Sequence, residues 1–87
     1  MDELIKRLRE DGKVELAIHL KVIWNNFREF IDKKEKEGIR FNQIELMEAL
    51  DVLSILQIIE DEEAEKLQVF LHDYRREHEK EKKEEEK

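Results

Sequence analysis

Only two residues of this chain, Gly12 and Gly38, take a left-handed backbone turn without steric cost, and no proline interrupts it anywhere. An 87-residue chain with so few breakers divides into a small number of long segments, here at the two glycines and at the acidic junction Glu60-Asp61-Glu62-Glu63. The apolar residues recur at three- and four-residue spacing, which is the signature of amphipathic helices. The sequence therefore reads as all-α: a compact antiparallel four-helix bundle with a short first helix and a charged C-terminal extension. Residues 1–76 form the bundle domain in this reading, and 77–87 a solvated or frayed helical tail.

Asp2 is placed to cap a short first helix with Leu4, Ile5 and Leu8 on one side, ending in Asp11-Gly12-Lys13. From Val14 two periods compete. Val14, Leu16, Ile18, Leu20, Val22 and Trp24 alternate like a strand, whereas Leu16, Leu20, Ile23, Phe27, Phe30 and Ile31 keep helical spacing. The helical set runs on without a break to the charged residues 32–37, and a lone strand has few segments to pair with, so a helix over 14–37 is expected. Its main face is broad, and Val14, Ile18 and Val22 add a second stripe nearly opposite at i, i+4, i+8. Either the first helix folds over that stripe, or a second copy of the chain covers it in a homodimer.

Gly38 is expected to end the second helix, and Asn42 with Glu45 resembles a capping box opening a third helix over 43–59. Apolar residues surround this third helix on nearly every side, relieved by one line of Glu45, Glu48, Asp51, Ser54 and Gln57. Such a helix is either the buried centre of the bundle or meets another chain along one flank. Asp61 is expected to cap the fourth helix, whose stripe is Ala64, Leu67, Phe70, Leu71 and Tyr74, with Val69 facing away.

The inventory of reactive groups is small. There is no Cys and no Thr, and Ser54 has neither a glycine elbow nor a histidine near in sequence; its expected role is a hydrogen bond back to its own helix. His19, His72 and His78 are not spaced at i, i+3 or i+4, so they assemble no zinc pair and no bundle di-iron set. No catalytic residue, cofactor or metal is expected. Glu45, Glu48 and Asp51 are read as a solvated strip, and Trp24, Phe27 and Phe30 as core aromatics.

Of the net charge of −7, the acidity is concentrated in residues 41–74, with nine Asp/Glu against one Lys. That surface repels phosphate backbones, which argues against nucleic acid as a partner, and it admits a basic protein. The longest uncharged run, 52–59, is far shorter than the roughly 20 residues a membrane span requires. The N-terminus lacks the pattern of a secretory signal, so a cytoplasmic protein is expected. The segment Gln68-Val69-Phe70-Leu71-His72-Asp73-Tyr74 resembles sliding-clamp-binding peptides in its glutamine, aliphatic and aromatic spacing, with Arg75 where a second aromatic is usual.

These features together point to a non-enzymatic helical module for structure or protein–protein interaction, self-associating or not. Val14, Ile18, Val22, Glu45, Glu48 and Asp51 are its candidate partner-binding residues. The alternative is a small acidic adaptor or inhibitor, cellular or viral, that binds a basic protein. The composition suits either a hyperthermophile protein or an engineered sequence chosen for helix propensity, and both imply thermostability.

Overall fold

The computed structural model describes the backbone of residues 1–85 and the side chains of residues 1–78. Four helices account for nearly all of it: α1 (Asp2–Glu10), α2 (Val14–Lys33), α3 (Lys36–Ile55) and α4 (Asp61–Glu85), with no strand among the described residues. Residues 14–22 are helical, because the competing alternation finds no strand to pair with while the 3.6-residue period continues down the whole segment. Of the expected tail, residues 79–87 lie outside the described side chains.

The first three helices end in the same way. Within two residues of each helix end one residue adopts a left-handed conformation: Gly12 (φ 82°), Lys34 (φ 59°) and Gln57 (φ 60°). In each case the following N–H reaches back to a carbonyl five residues earlier: Lys13 to Leu8 at 2.8 Å, Glu35 to Phe30 at 3.0 Å and Ile58 to Leu53 at 2.9 Å. These are Schellman closures, which satisfy carbonyls that the helix itself leaves unpaired. Only one of the three uses glycine.

Three expected boundaries therefore move. Helix α2 stops at Lys33 rather than 37, because the turn falls on Lys34, and Gly38 is not a cap but the third residue of α3. Helix α3 begins at Lys36 instead of 43 and ends at Ile55 instead of 59, so Asn42 is no cap: it lies inside the helix, 5% exposed. Asp2 and Asp61 are the first residues of their helices rather than the caps before them.

Successive helices joined by short turns lie side by side and antiparallel. The α2–α3 hairpin is the largest contact, α1 packs on α2, α4 packs on α3, and α4 touches α2 more lightly. The core gathers Leu4, Ile5 and Leu8 of α1 with Leu20, Trp24, Phe27 and Ile31 of α2, then Ile39, Leu46, Leu50 and Leu53 of α3 and Ala64 and Leu71 of α4. Helix α1 thus adds its apolar side to the common core, and Val14, Ile18 and Val22 stay about half exposed (45%, 51% and 52%). The expectation that the first helix covers this stripe is overturned. One short amphipathic helix has a single apolar side to offer, and the core face of α2 takes it.

Candidate interaction surface

Helix α3 is apolar on two opposite faces, and the bundle covers one of them. Ile39, Leu46, Leu50 and Leu53 point inward and are at most 4% exposed. Across the helix, Phe41, Ile44, Val52 and Ile55 follow one line at i, i+3, i+11 and i+14, with exposures of 65%, 48%, 51% and 77%; Leu56, just past the helix, is 61% exposed. This is a patch on the order of several hundred Å², a size at which the largest apolar patch of a monomer is commonly functional. Helix α3 is therefore not buried all round.

Carboxylates frame the patch. Glu48 occupies its middle at i+7 and is exposed; Glu37, also exposed, precedes Phe41, and Glu45 is half-buried beside Ile44. Asp51 lies toward α4, where its Oδ1 accepts a hydrogen bond from Gln68 Nε2 at 2.7 Å. The same amide group lies 3.4 Å from the Met47 carbonyl. Glu45, Glu48 and Asp51 do share the outer side of α3, but Asp51 is partly committed to holding α4 in place. Neither of two clefts near the N-terminal ends of α1 and α4 and at the α3–α4 turn is lined by them.

Val14, Ile18 and Val22 form a separate, shorter stripe on α2, about 12 Å long at 1.5 Å per residue. No carboxylate interrupts it. Toward the C-terminal end, Asn25 and Glu29 continue the same line and make it polar.

The remaining polar groups hold helices together. Ser54 Oγ donates to Asp61 Oδ1 across the α3–α4 turn, in place of the expected bond within its own helix. That contact ties the start of α4 to the end of α3. Arg7 donates to Glu63 and bridges α1 to α4, and this hydrogen bond raises the Arg7 pKa further above its ordinary range. Gln43, 5% exposed, accepts from Arg75 Nη1 at 2.7 Å. His78 stacks on Tyr74 with ring centroids 3.9 Å apart, its Nδ1 2.8 Å from the Tyr74 carbonyl. Among the described residues, no group of three His, Asp or Glu side chains is arranged to hold a metal ion.

Trp24 lies among Phe27, Phe70 and Tyr74 at centroid distances of 5.1 to 5.9 Å, with the Arg28 guanidinium 5.1 Å above its ring. Burial raises the Tyr74 pKa above its ordinary value; Arg28 opposes that shift and Asp32 adds to it. The segment 68–74, similar in spacing to clamp-binding peptides, is built into the bundle: Leu71 is fully buried and Gln68 is bonded to α3. It is thus not free to be threaded into another protein.

The outer line of α3 escapes a reading that starts the helix at 43, because Phe41 then falls in a loop. Once the helix is begun at Lys36, Phe41, Ile44, Glu48, Val52 and Ile55 align. No family model matches this chain, and no curated protein or solved structure matches it. No helix among the described residues is long and apolar enough to cross a membrane.

Proposed function

We propose that this chain is a non-enzymatic helical module that works by protein–protein contact, self-association included. The observation that carries the reading is that α2 and α3 each keep an apolar stripe on the side away from the core. Half-exposed aliphatic and aromatic side chains in continuous lines gain roughly 25 cal/mol for each Å² that a partner removes from water. Scattered single residues would need no explanation, but aligned ones do.

The stripe of Val14, Ile18 and Val22 suits a second copy of the chain, because its apolar positions carry no like charges that pairing would bring together. The reactive-group inventory supports a non-enzymatic role, since the single serine is engaged with Asp61.

Light scattering across protein concentration, at low and high salt, tests the reading. The expected result is a dimer that survives high salt, since apolar contacts are insensitive to screening, and that Ile18→Asp dissociates. A monomer at every concentration overturns the self-pairing.

A further inference from the structure

We infer that the outer face of α3 docks one basic amphipathic helix of a partner protein. The inference rests on the reading of this chain as an interaction module and names the occupant of one of its two stripes. From Phe41 to Ile55 the stripe advances about 21 Å, the length of a single helix of about 15 residues. Its width is one helix face. An area of several hundred Å² falls short of the roughly 800 Å² per partner of a standard stable interface, and it suits the helix-on-face mode of recognition.

Charge excludes the most obvious alternative, a second copy of α3. The stripe is palindromic about Glu48. In a two-fold antiparallel pairing Phe41 would oppose Ile55 and Ile44 would oppose Val52, so the apolar groups would match. The same register would set Glu48 against Glu48 and Glu45 against Asp51 on both sides of it, placing like charges together across the centre of the contact. A helix with lysines or arginines at those positions keeps every apolar match and replaces each repulsion with an attraction. Such a helix also meets the wider field of residues 41–74, with nine acids and one lysine.

The probe is a synthetic, fluorescently labelled helix of about 16 residues, with leucines on one face and lysines elsewhere; a control peptide carries glutamate for each lysine. Anisotropy is measured with the full chain at about 50 mM and about 500 mM salt. The lysine peptide is expected to bind at low salt and to weaken at least about tenfold at high salt, while the glutamate peptide does not bind. Phe41→Ser and Glu48→Lys are expected to weaken binding by about tenfold or more. Both positions are exposed, so helical content by circular dichroism should be unchanged.

Glu10→Lys on α1 makes the same change in net charge away from the stripe and is expected to alter affinity by less than about twofold. Equal weakening by Glu10→Lys and Glu48→Lys would overturn the proposal, because the attraction would then belong to the whole molecule. A dimer that Ile18→Asp dissociates, in a chain that ignores the lysine peptide, overturns the docking and keeps the interaction module. A monomer that ignores the peptide overturns both.

Discussion

A methyl group added to Gly38 would lie 2.6 Å from the ring of Phe30, with three ring carbons inside 2.9 Å. Gly38 is the third residue of α3 and Phe30 belongs to the last turn of α2, so the two helices leave their tight turn already in contact. The glycine is needed for space, and the turn itself is made by Lys34.

Gly38→Ala is therefore expected to destabilise the fold, although alanine is the better helix former by about 1 kcal/mol. The atoms in the way include the ring carbon nearest the Phe30 backbone, which cannot swing aside as the end of a long chain would. Overpacking of this kind costs about 1–3 kcal/mol, which against that gain leaves a net loss of up to about 2 kcal/mol in urea unfolding. Shrinking Phe30 to alanine in the same chain should recover part of that loss, with a coupling of about 1 kcal/mol in the double-mutant cycle.

The three left-handed positions separate backbone cost from packing cost. A methyl group at Gly12 meets nothing within 4 Å, so Gly12→Ala is expected to lose about 1–2 kcal/mol from conformation alone. Gln57 has the same kind of backbone (φ 60°) and an exposed side chain. Gln57→Gly should therefore raise stability by about 0.5–1 kcal/mol, after allowing for the freer unfolded chain. Thermal unfolding of the two variants beside the parent chain decides the sign; a drop in melting temperature for Gln57→Gly would contradict the account of the turn.

How much of this was legible before folding differs between elements. The four helices follow from the 3.6-residue period, and the core residues Leu20, Phe27, Leu50 and Leu71 fall on the faces that period selects. The α2–α3 turn does not follow, because residues 32–37 are all charged and nothing in their chemistry singles out Lys34 over its neighbours. A search for glycine finds Gly38, four residues too late. The stripe of Val14, Ile18 and Val22 was readable from spacing alone, but its exposure was not, since that depends on where α1 docks. The outer face of α3 needed the corrected helix start to bring Phe41 into line.

The partly buried contact between Gln43 and Arg75 was also invisible, because the two residues are 32 positions apart and meet only once α4 packs on α3. Removing the donor leaves the amide oxygen of a residue that is 5% exposed without its charged partner. Arg75→Met is expected to cost about 1–3 kcal/mol for that reason. Adding Gln43→Leu should return a good part of it, since an apolar pair asks for no hydrogen bond. Chemical denaturation of the two single variants and the double variant gives the coupling directly, and strict additivity would rule out the contact as described.

Tyr74 is the one tyrosine in the chain, which makes its ionisation separable from everything else. Burial raises its pKa above 10.0, against an opposing influence from Arg28 and with a further push from Asp32. A folded-state pKa above the unfolded value means that the native chain favours the neutral phenol. The resulting stability is complete below the unfolded pKa and is lost as pH rises through the folded one. Absorbance near 295 nm should therefore show Tyr74 ionising at a higher pH in the folded chain than in urea. Over the same alkaline range the melting temperature should fall, and Tyr74→Phe should remove that part of the decline. Lysines also titrate there, so the quantity to follow is the difference between parent and variant: a difference that stays constant from about pH 8 to 11 would mean that the phenol is as free to ionise in the fold as outside it.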